Sequence, residues 1–313
     1  MRILVTGGAG FVGSHLVEAL VAAGVGEIVV IDNLHRGRLS NLQGCWDRIE
    51  FVQADVREAE SLQHSLRAVD VVYHLAAQST VMGAVDNLEY SFSTNVVGTF
   101  HLLQAAYRQR VKRFVFASSR EVYGEAQESP TPETAPLRPK NAYGASKVAG
   151  ELYCDVFAKL GLDAAILRFT NVYGPRDEGR VIPNFIASAL RGIPLTVFGG
   201  DQVLDFVWVG TVVDALVMAG LGEPIVGPLN VGSGQGTTIV DLARRVLDAT
   251  SSPSRLDFVP GRGEETVRFV ADTARACAIV KLPRPVDPLS RLNDVVLACK
   301  NDVMDIGQAG QTR

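Results

Sequence analysis

The stretch MRILVTGGAGFVG, residues 1–13, joins an apolar run to a glycine-rich turn and then to a helical pattern. Gly7, Gly10 and Gly13 give the spacing GxxGxxG. Glycines at this spacing allow a tight turn, a close approach of backbone amides to a pyrophosphate, and close packing of the helix on the sheet. The positive end of the helix then faces the phosphates. The stretch therefore predicts a dinucleotide-binding strand, turn and helix.

Downstream, short apolar runs alternate with helical patterns. Nearly continuous runs of Val, Ile, Leu and Phe are typical of parallel strands that are covered by helices on both faces. The alternation predicts an α/β fold with a doubly wound parallel (Rossmann) sheet. The predicted strands are residues 1–6, 27–32, 49–54, 69–75, 113–119 and 164–169, and the clearest predicted helices are residues 14–23, 94–108 and 143–160.

The pattern becomes less regular after residue 170, where Gly and Pro are frequent and the apolar runs are short. We therefore expect an NAD-binding Rossmann domain over residues 1–170 and a smaller, discontinuous α/β substrate lobe over residues 171–225 and 233–300. The apolar run within 226–232 is expected to return to the main sheet. Residues 301–313 are expected to form a frayed tail.

The overall charge argues against nucleic acid as the main partner. The 313 residues contain 30 Lys and Arg against 34 Asp and Glu, a formal net charge of -4, whereas phosphate backbones need a basic surface. No run resembles the ~20 apolar residues that a bilayer requires. The four cysteines lie far apart, so neither a disulfide framework nor a metal site is expected. With no room for a signal peptide before Gly7, we expect a cytoplasmic protein.

Asp32 ends the second predicted strand, 19 residues after Gly13. A carboxylate there can accept hydrogen bonds from an adenosine ribose and repels a 2′-phosphate, which favours NAD over NADP. The alternative is a turn or helix-cap role. Asp55 and Val56 follow the third strand and are candidate adenine contacts. The remaining predicted cofactor contacts lie at neighbouring strand and turn positions: Phe11, Val12, Asn33, Leu75, Ala76, Ala77, Gln78 and Ser118.

Tyr143 and Lys147 stand four residues apart on a predicted helix, so their side chains share one face. Proton abstraction at neutral pH needs the phenol pKa brought down from about 10 to roughly 7. Lys147 and the positive nicotinamide ring of the cofactor both favour the tyrosinate. Ser119, at the end of the fifth strand, is placed to hydrogen-bond the same substrate hydroxyl. The alternative is a packed Tyr beside an exposed, ion-pairing Lys.

The ordered motifs resemble those of the extended short-chain dehydrogenase/reductases, and most closely those of the NAD-dependent nucleotide-sugar epimerases and dehydratases. The resemblance covers residues 1–298. It rests on TGGAGFVG (6–13), LAAQ (75–78), STNVVGT (93–99), SSREVYG (118–124), YGASK (143–147), RFTNVYGP (168–175) and RGEETVRFVAD (262–272).

The resemblance implies NAD as the cofactor, with Ser119, Tyr143 and Lys147 as the catalytic set. Asn95 matches the asparagine that supports the catalytic architecture. Two of the implied substrate contacts, Asn171 and Arg262, match positions that hold the diphosphate, and residues 195–198 match a segment that packs on uracil. The full set of implied substrate contacts is Thr80, Ser119, Arg120, Glu121, Tyr143, Asn171, Val197, Phe198 and Arg262. Family members commonly dimerise through two long helices, here 94–108 and 143–160, so a homodimer is expected.

Two departures from the family pattern affect the substrate. Leu204 replaces the usual Arg of a QxRDF motif and cannot bind a phosphate, so Arg176, Arg180 or Arg191 are candidates to compensate. Arg120 replaces the small residue of 4-epimerases and the acid of dehydratases, which disfavours dehydration. Arg120 is also a candidate partner for a sugar carboxylate, and the alternative is a local ion pair with Glu121.

These residues predict an isomerase, an NAD-dependent 4-epimerase of a UDP-hexose that needs no metal. The sugar pair is UDP-glucose and UDP-galactose, or UDP-glucuronate and UDP-galacturonate. Glu121 keeps open a UDP-glucuronate decarboxylase or another nucleotide-sugar lyase, and a net oxidoreductase is a further alternative. A non-catalytic NAD-binding protein is the alternative of a different class.

Overall fold

The computed structural model describes the backbone of residues 1–309 and the side chains of residues 1–301. Within this part, the chain forms thirteen strands: β1 (Arg2–Thr6), β2 (Glu27–Asp32), β3 (Ile49–Gln53), β4 (Val71–His74), β5 (Arg113–Ser119), β6 (Ala164–Phe169), β7 (Asn171–Tyr173), β8 (Leu195–Phe198), β9 (Val203–Trp208), β10 (Leu229–Val231), β11 (Gly236–Thr238), β12 (Leu256–Val259) and β13 (Arg268–Phe269).

Eleven α-helices lie between the strands or follow them within the described residues: α1 (Phe11–Ala22), α2 (Ala59–Ser65), α3 (Val81–Asp86), α4 (Leu88–Phe92), α5 (Thr99–Arg108), α6 (Ala142–Lys159), α7 (Val181–Leu190), α8 (Val209–Leu221), α9 (Ile239–Thr250), α10 (Ala274–Ile279) and α11 (Leu292–Ala309). Tighter or wider helical turns occur at Leu39–Arg48, Ser93–Gly98 and Arg120–Val122.

Seven parallel strands form the main sheet, in the order β10-β6-β5-β4-β1-β2-β3. The strands β1, β4 and β5 bury nearly every residue, because helices cover both faces of the sheet. On one face, α1 and α8 pack together around Leu16 and Leu216. On the other face, α5 and α6 pack around Leu103 and Phe157. The arrangement leaves the carboxyl ends of the strands to form a site.

The smaller lobe is built around β9. The strands β7 and β13 pair with β9 in parallel, β11 pairs with it antiparallel, and β8 pairs with β12 separately. Helices α7, α9 and α11 pack on one another around Ile186, Leu242 and Val295. The short strand β10 then pairs with β6 at the edge of the main sheet, so the chain passes between the two lobes more than once.

The predicted α/β class with a doubly wound parallel sheet is confirmed. Three predicted strands have the observed bounds, namely β2, β5 and β6. The helical pattern over residues 94–108 is divided into a π-helical turn, Ser93–Gly98, and the regular helix α5. The expected tail from residue 301 overlaps α11, which runs to Ala309, and residues 310–313 lie outside the described part. Among the described residues, no helix has both the length and the apolarity needed to cross a membrane.

The contact between α1 and α8 gives a test of the packing. Leu216 is fully buried in α8, whereas Met218 on the same helix is 41% exposed. We expect Leu216→Ala to lower the free energy of unfolding by about 2–5 kcal/mol, because a cavity remains where the side chain was. Met218→Ala is the matched control and should change it by less than about 1 kcal/mol. Urea unfolding followed by circular dichroism measures both, and equal losses would contradict the assigned packing.

Candidate active site

Two adjoining cavities lie where the strands of the main sheet end. The first, here called the glycine cleft, is lined by the turn after β1, the ends of β2 and β4, and residues 176–180. The second, here called the tyrosine cavity, is lined by Ser119, Tyr143 and Lys147 together with residues of the smaller lobe. Phe11, Val12 and Arg180 line both cavities. Carboxyl ends of parallel strands are the usual position for a ligand site in such a sheet.

The glycine cleft fits a pyrophosphate because side chains are excluded from its floor. Gly7 has φ +70°, and a Cβ there would lie 2.7 Å from the backbone nitrogen of Ala76. A Cβ on Gly13 would lie 2.1 Å from the carbonyl oxygen of Gly7. Helix α1 begins at Phe11 with no side-chain cap, so its amino-terminal amides are not covered by a side chain. Gly10, Phe11, Val12 and Gly13 line the cleft, where their contact with the cofactor stays a prediction.

Asp32 lines the glycine cleft and is 7% exposed. One carboxylate oxygen accepts from the backbone of Ala9 at 3.0 Å, and the other accepts from the backbone of Leu34 at 2.8 Å. Burial raises the pKa of this carboxyl, and the two backbone hydrogen bonds oppose the shift. The turn role is therefore satisfied, since Asp32 fixes the glycine turn against residues 33–37. The ribose contact stays a prediction.

Asp55 and Val56, the predicted adenine contacts, follow the end of β3. Val56 and Asn33 line the glycine cleft, but the Asp55 side chain does not. Asp55 accepts from Arg57 Nε and Nη2 at 2.9 and 2.8 Å, and from Asn33 Nδ2 at 2.8 Å. The hydrogen bonds from Arg57 are the largest cause that lowers the pKa of Asp55 to about 2. Asp55 therefore positions Asn33, and the adenine contact stays a prediction.

Leu75 and Ala77 line both cavities, and Ala76 lines the glycine cleft. Gln78 and Asn95 line neither cavity, and a cofactor contact by either residue stays a prediction. Asn95 Oδ1 accepts from the backbone of Gln78 at 2.8 Å, and its Nδ2 donates to Gln78 O and Ser146 Oγ at 3.0 and 2.9 Å. Asn95 thus joins the turn after β4 to helix α6, a supporting role.

Ser118 borders the tyrosine cavity rather than the glycine cleft. Its hydroxyl donates to Glu151 Oε1 at 2.5 Å. Ser118 and Ser119 point to opposite faces of the sheet, because successive residues of a strand do so. The Ser118 side chain therefore belongs to a polar network behind the site, and the cofactor contact by Ser118 stays a prediction.

The three predicted catalytic residues come together in the tyrosine cavity. Ser119 Oγ accepts from the backbone of Glu121 at 3.2 Å and forms a hydrogen bond with Tyr143. Lys147 Nζ donates to the carbonyl oxygen of Ala117 at 2.8 Å and lies 5.7 Å from the centre of the Tyr143 ring. The arrangement therefore matches a serine and a lysine on either side of one phenol.

Burial dominates the proton equilibria at this site. It raises the pKa of Tyr143 to about 12, although Arg180 and the Ser119 hydrogen bond act in the opposite direction. Burial also lowers the pKa of Lys147 to about 8. Among the protein's own groups, Arg180 opposes the rise in the Tyr143 pKa most strongly, and the acidification of the phenol by Lys147 stays a prediction. The positive nicotinamide ring is the other contribution that the prediction named.

The predicted substrate residues are divided between the cavity and the core. The side chains that line the tyrosine cavity are those of Thr80, Ser119, Arg120, Glu121, Tyr143, Asn171, Phe198 and Arg262. Val197 is fully buried in the core of the smaller lobe, whereas Thr196 and Phe198 line the cavity. Val197 is corrected because a strand alternates its faces, and the same alternation would have indicated Thr196 from Phe198.

One end of the tyrosine cavity is formed by Phe198, Arg262 and Leu204. The Arg262 guanidinium lies 3.7 Å from the centre of the Phe198 ring.

Of the arginines considered to compensate for Leu204, Arg180 reaches the cavity, while Arg176 donates to Glu18 Oε1 at 2.6 Å in the glycine cleft. Arg191 follows α7, is exposed, and lines neither cavity.

Arg120 and Glu121 form a buried ion pair, with Arg120 Nη2 2.8 Å from Glu121 Oε1. The other Glu121 oxygen accepts from Asn141 Nδ2 at 3.0 Å and from Thr266 Oγ1 at 3.4 Å. Both members of the pair line the tyrosine cavity. The structure therefore contains the local ion pair and places it in the wall of the site.

Three charged residues that close the glycine cleft were not predicted. Arg36 Nη2 donates to the carbonyl oxygen of Glu178 at 2.8 Å, and Arg38 Nη2 donates to the Glu178 carboxylate at 2.8 Å. These contacts join the turn after β2 to the smaller lobe. They lie on two loops far apart in the chain, where neither strand nor helix periodicity gives a signal.

Within the described residues, no group of three or more His, Cys, Asp or Glu is placed to hold a metal ion.

The chain matches known proteins over most of its length. A model of the NAD dependent epimerase/dehydratase family matches residues 3–232. The UDP-glucose 4-epimerase of Mycolicibacterium smegmatis is 39% identical over 289 residues, which are 88% of this chain and 91% of that protein. UDP-glucuronic acid decarboxylase 1 of Arabidopsis thaliana is 36% identical over 288 residues, which are 88% of this chain and 64% of that protein.

A solved structure gives the same result for the fold. The UDP-glucose 4-epimerase of Thermotoga maritima, crystallised with UDP-glucose, matches with a TM-score of 0.92 and 33% identity. The match covers 97% of this chain and 100% of that chain. The sheet, the glycine cleft and the matches define an NAD-dependent enzyme of the extended short-chain dehydrogenase/reductase class. The chain belongs to the NAD-dependent epimerase/dehydratase family, and its cofactor is NAD.

The tight contact between the glycine turn and α1 gives a test of cofactor binding. We expect Gly13→Ala to weaken NAD binding by at least roughly tenfold, because its Cβ would push the turn away from the helix and misplace charge-assisted hydrogen bonds to the phosphates. Gly44→Ala is the matched control, since a Cβ there meets nothing within 4 Å. Isothermal titration of both apo proteins with NAD measures the effect. Equal affinities would show that this contact does not shape the site.

Proposed function

We propose that this protein is an NAD-dependent 4-epimerase of UDP-sugars. Its substrate pair is UDP-glucose and UDP-galactose, or UDP-glucuronate and UDP-galacturonate. The observation that carries the proposal is the placement of Ser119, Tyr143 and Lys147 in one cavity that adjoins the glycine cleft. The 39% identity to a UDP-glucose 4-epimerase supports it.

Tyr143 moves a proton at the C4 hydroxyl of the sugar. Its oxygen has a hydrogen bond to Ser119, and the same serine hydroxyl can hold the C4 oxygen beside it. Lys147 is fixed on the Ala117 carbonyl and faces the Tyr143 ring, so its positive charge stabilises a tyrosinate. NAD, when bound, supplies a reversible acceptor for the hydrogen at C4. The general-acid and general-base roles of Tyr143 alternate between the two halves of the reaction.

Epimerisation requires that the 4-keto sugar turn over while its nucleotide stays bound. Asn171 and Arg262 line the tyrosine cavity and are proposed to hold the diphosphate. Asn171 Nδ2 donates to the backbone of Asp205 at 3.1 Å, and Arg262 stacks on Phe198, so both side chains have fixed partners. A fixed diphosphate leaves the sugar free to rotate about its linkage and present the other face of C4 to the same cofactor.

A decarboxylase is the second candidate function, because Glu121 lies in the cavity wall close to the catalytic set. The similarity to a UDP-glucuronic acid decarboxylase supports it. In the structure, Glu121 is bonded on both oxygens, by Arg120 on one and by Asn141 and Thr266 on the other. A carboxylate held in this way is less suited to abstract a proton, so the epimerase is favoured.

The function is tested by incubating the purified protein with NAD and a panel of UDP-sugars. We expect interconversion of C4 epimers, seen by NMR at C4, with neither carbon dioxide nor a lasting rise in absorbance of reduced nicotinamide. Carbon dioxide from UDP-glucuronate would instead identify the lyase, and a lasting rise in absorbance would identify a net oxidoreductase. A protein that binds no NAD and changes none of the sugars would overturn the proposal.

The role of Tyr143 belongs to the same test. Tyr143→Phe should lower kcat by about 10²–10⁴-fold, since it removes the acid–base group and keeps the ring. Tyr153→Phe is the matched control because Tyr153 lies on the same helix and is 38% exposed. Equal activity of the two variants would support the non-catalytic NAD-binding alternative.

We also propose that two copies of the chain associate through α5 and α6. Leu152, Val156 and Leu160 lie four residues apart on α6 and are each about half exposed or more. Phe92 and Leu88 on α4 are 58% and 61% exposed, and α4 packs against α6. These exposed apolar side chains form the stripe through which we propose that the two copies associate.

A charge placed on this stripe should separate the copies. We expect the wild-type chain to elute with the mass of a dimer and Val156→Glu with the mass of a monomer, measured by light scattering after gel filtration. Val226→Glu is the control, since Val226 is 87% exposed outside the stripe. A wild-type monomer, or a dimer that survives Val156→Glu, would contradict the assignment.

A further inference from the structure

Arg120 has an unusual position in the wall of the tyrosine cavity. It is 8% exposed, and its guanidinium lies 5.8 Å from the centre of the buried Phe269 ring. Its Nη2 is shared between Glu121 Oε1 at 2.8 Å and Asn171 Oδ1 at 3.4 Å. Its Nη1 is buried and has no hydrogen-bond partner in the protein.

A buried donor without a partner is costly, and a charged one more so. Glu121 cannot turn to satisfy Nη1, because its other oxygen is held by Asn141 and Thr266. The protein therefore gives the guanidinium one carboxylate partner and leaves Nη1 without an acceptor of its own. A carboxylate suits a guanidinium better than a neutral hydroxyl does, since the hydrogen bond is then charge-assisted.

The position of Arg120 limits which part of the substrate can supply that acceptor. Arg120 directly follows Ser119, which together with Tyr143 is proposed to hold the C4 oxygen. The ring carbons next to C4 are C3, which carries a hydroxyl, and C5, which carries C6. In a hexose, C6 is the carbon beside this region that can be oxidised to a carboxylate. The diphosphate is attached at C1, across the ring.

We propose that Arg120 is a specificity-determining residue whose guanidinium, in the wall of the tyrosine cavity, binds the C6 carboxylate of a UDP-hexuronate. This inference rests on the proposed function and selects UDP-glucuronate and UDP-galacturonate from its two substrate pairs. Glu121 then serves to hold Arg120 in the cavity wall through Nη2. The neutral pair UDP-glucose and UDP-galactose offers only a hydroxyl at this position.

The wild-type enzyme gives the first test, with no variant needed. The measurement is kcat/KM for UDP-glucuronate and for UDP-glucose with NAD present, with the products resolved by NMR. We expect a preference for UDP-glucuronate of roughly tenfold or more, the value of one charge-assisted contact. A preference for UDP-glucose would overturn the inference and leave the epimerase function standing.

Arg120→Gln gives the second test, because it removes the charge and keeps a planar donor. The ratio of the two kcat/KM values should fall by roughly 10- to 100-fold, chiefly through KM for UDP-glucuronate. Arg244→Gln is the matched control, since the Arg244 side chain is 68% exposed on α9. Equal loss for both sugars would overturn the inference and indicate that Arg120 acts on the diphosphate or on folding.

Binding separates failure of the inference from failure of the function. If the NAD-loaded protein epimerises neither sugar, the proposed function falls, and calorimetric titration with UDP-glucuronate and UDP-glucose still tests Arg120. Tighter binding of UDP-glucuronate that disappears in Arg120→Gln would support the carboxylate contact. Equal affinities for the two sugars in the wild-type protein would overturn it.

Discussion

The close contact between the turn after β1 and the first turn of α1 sets the geometry of the whole site. The space at Gly13 is closed by the carbonyl of Gly7, at 2.1 Å from where a Cβ would stand, and Gly7 itself packs on Ala76. The helix therefore approaches the sheet closely and starts beside the ends of β1 and β4. Asp32 then holds the same turn through the Ala9 amide, so the floor of the glycine cleft is fixed from both sides.

A second constraint is a buried polar network that joins β6, α6 and β10 behind the tyrosine cavity. Arg168 on β6 forms two parallel hydrogen bonds to Glu151 on α6, and its Nη1 donates to the Tyr123 hydroxyl at 2.7 Å. The Tyr123 hydroxyl donates to Asn230 Oδ1 on β10, and the side-chain amide of Asn230 donates to the carbonyl of Thr131. Burying an ion pair is costly unless its remaining groups are satisfied, and here the network provides those partners. Because Ser118 also bonds Glu151, the strand that carries Ser119 is fixed to the same network.

The sequence predicted the parts of the molecule that depend on local pattern. β5 and β6 kept their predicted bounds because a strand buried on both faces is a continuous apolar run. The glycine turn and the Tyr143–Lys147 pair follow from fixed spacing. Val197 was misplaced because one residue of register reverses the face of a strand. The contact of Asn95 with Ser146 and the contact of Arg36 with Glu178 gave no local signal, because both join distant segments of the chain.

Electrostatics at the meeting point of the two cavities show why the lobes must act together. Tyr143 belongs to the main domain, yet the protein group that most opposes the burial-induced rise in its pKa is Arg180, at the start of α7 in the smaller lobe. Arg180 is held at 2.5 Å by Asp177, whose own side chain is almost fully buried. A movement of the smaller lobe would therefore change the charge beside the phenol as well as the shape of the cavity. Arg180 therefore links the charge beside the phenol to the position of the smaller lobe.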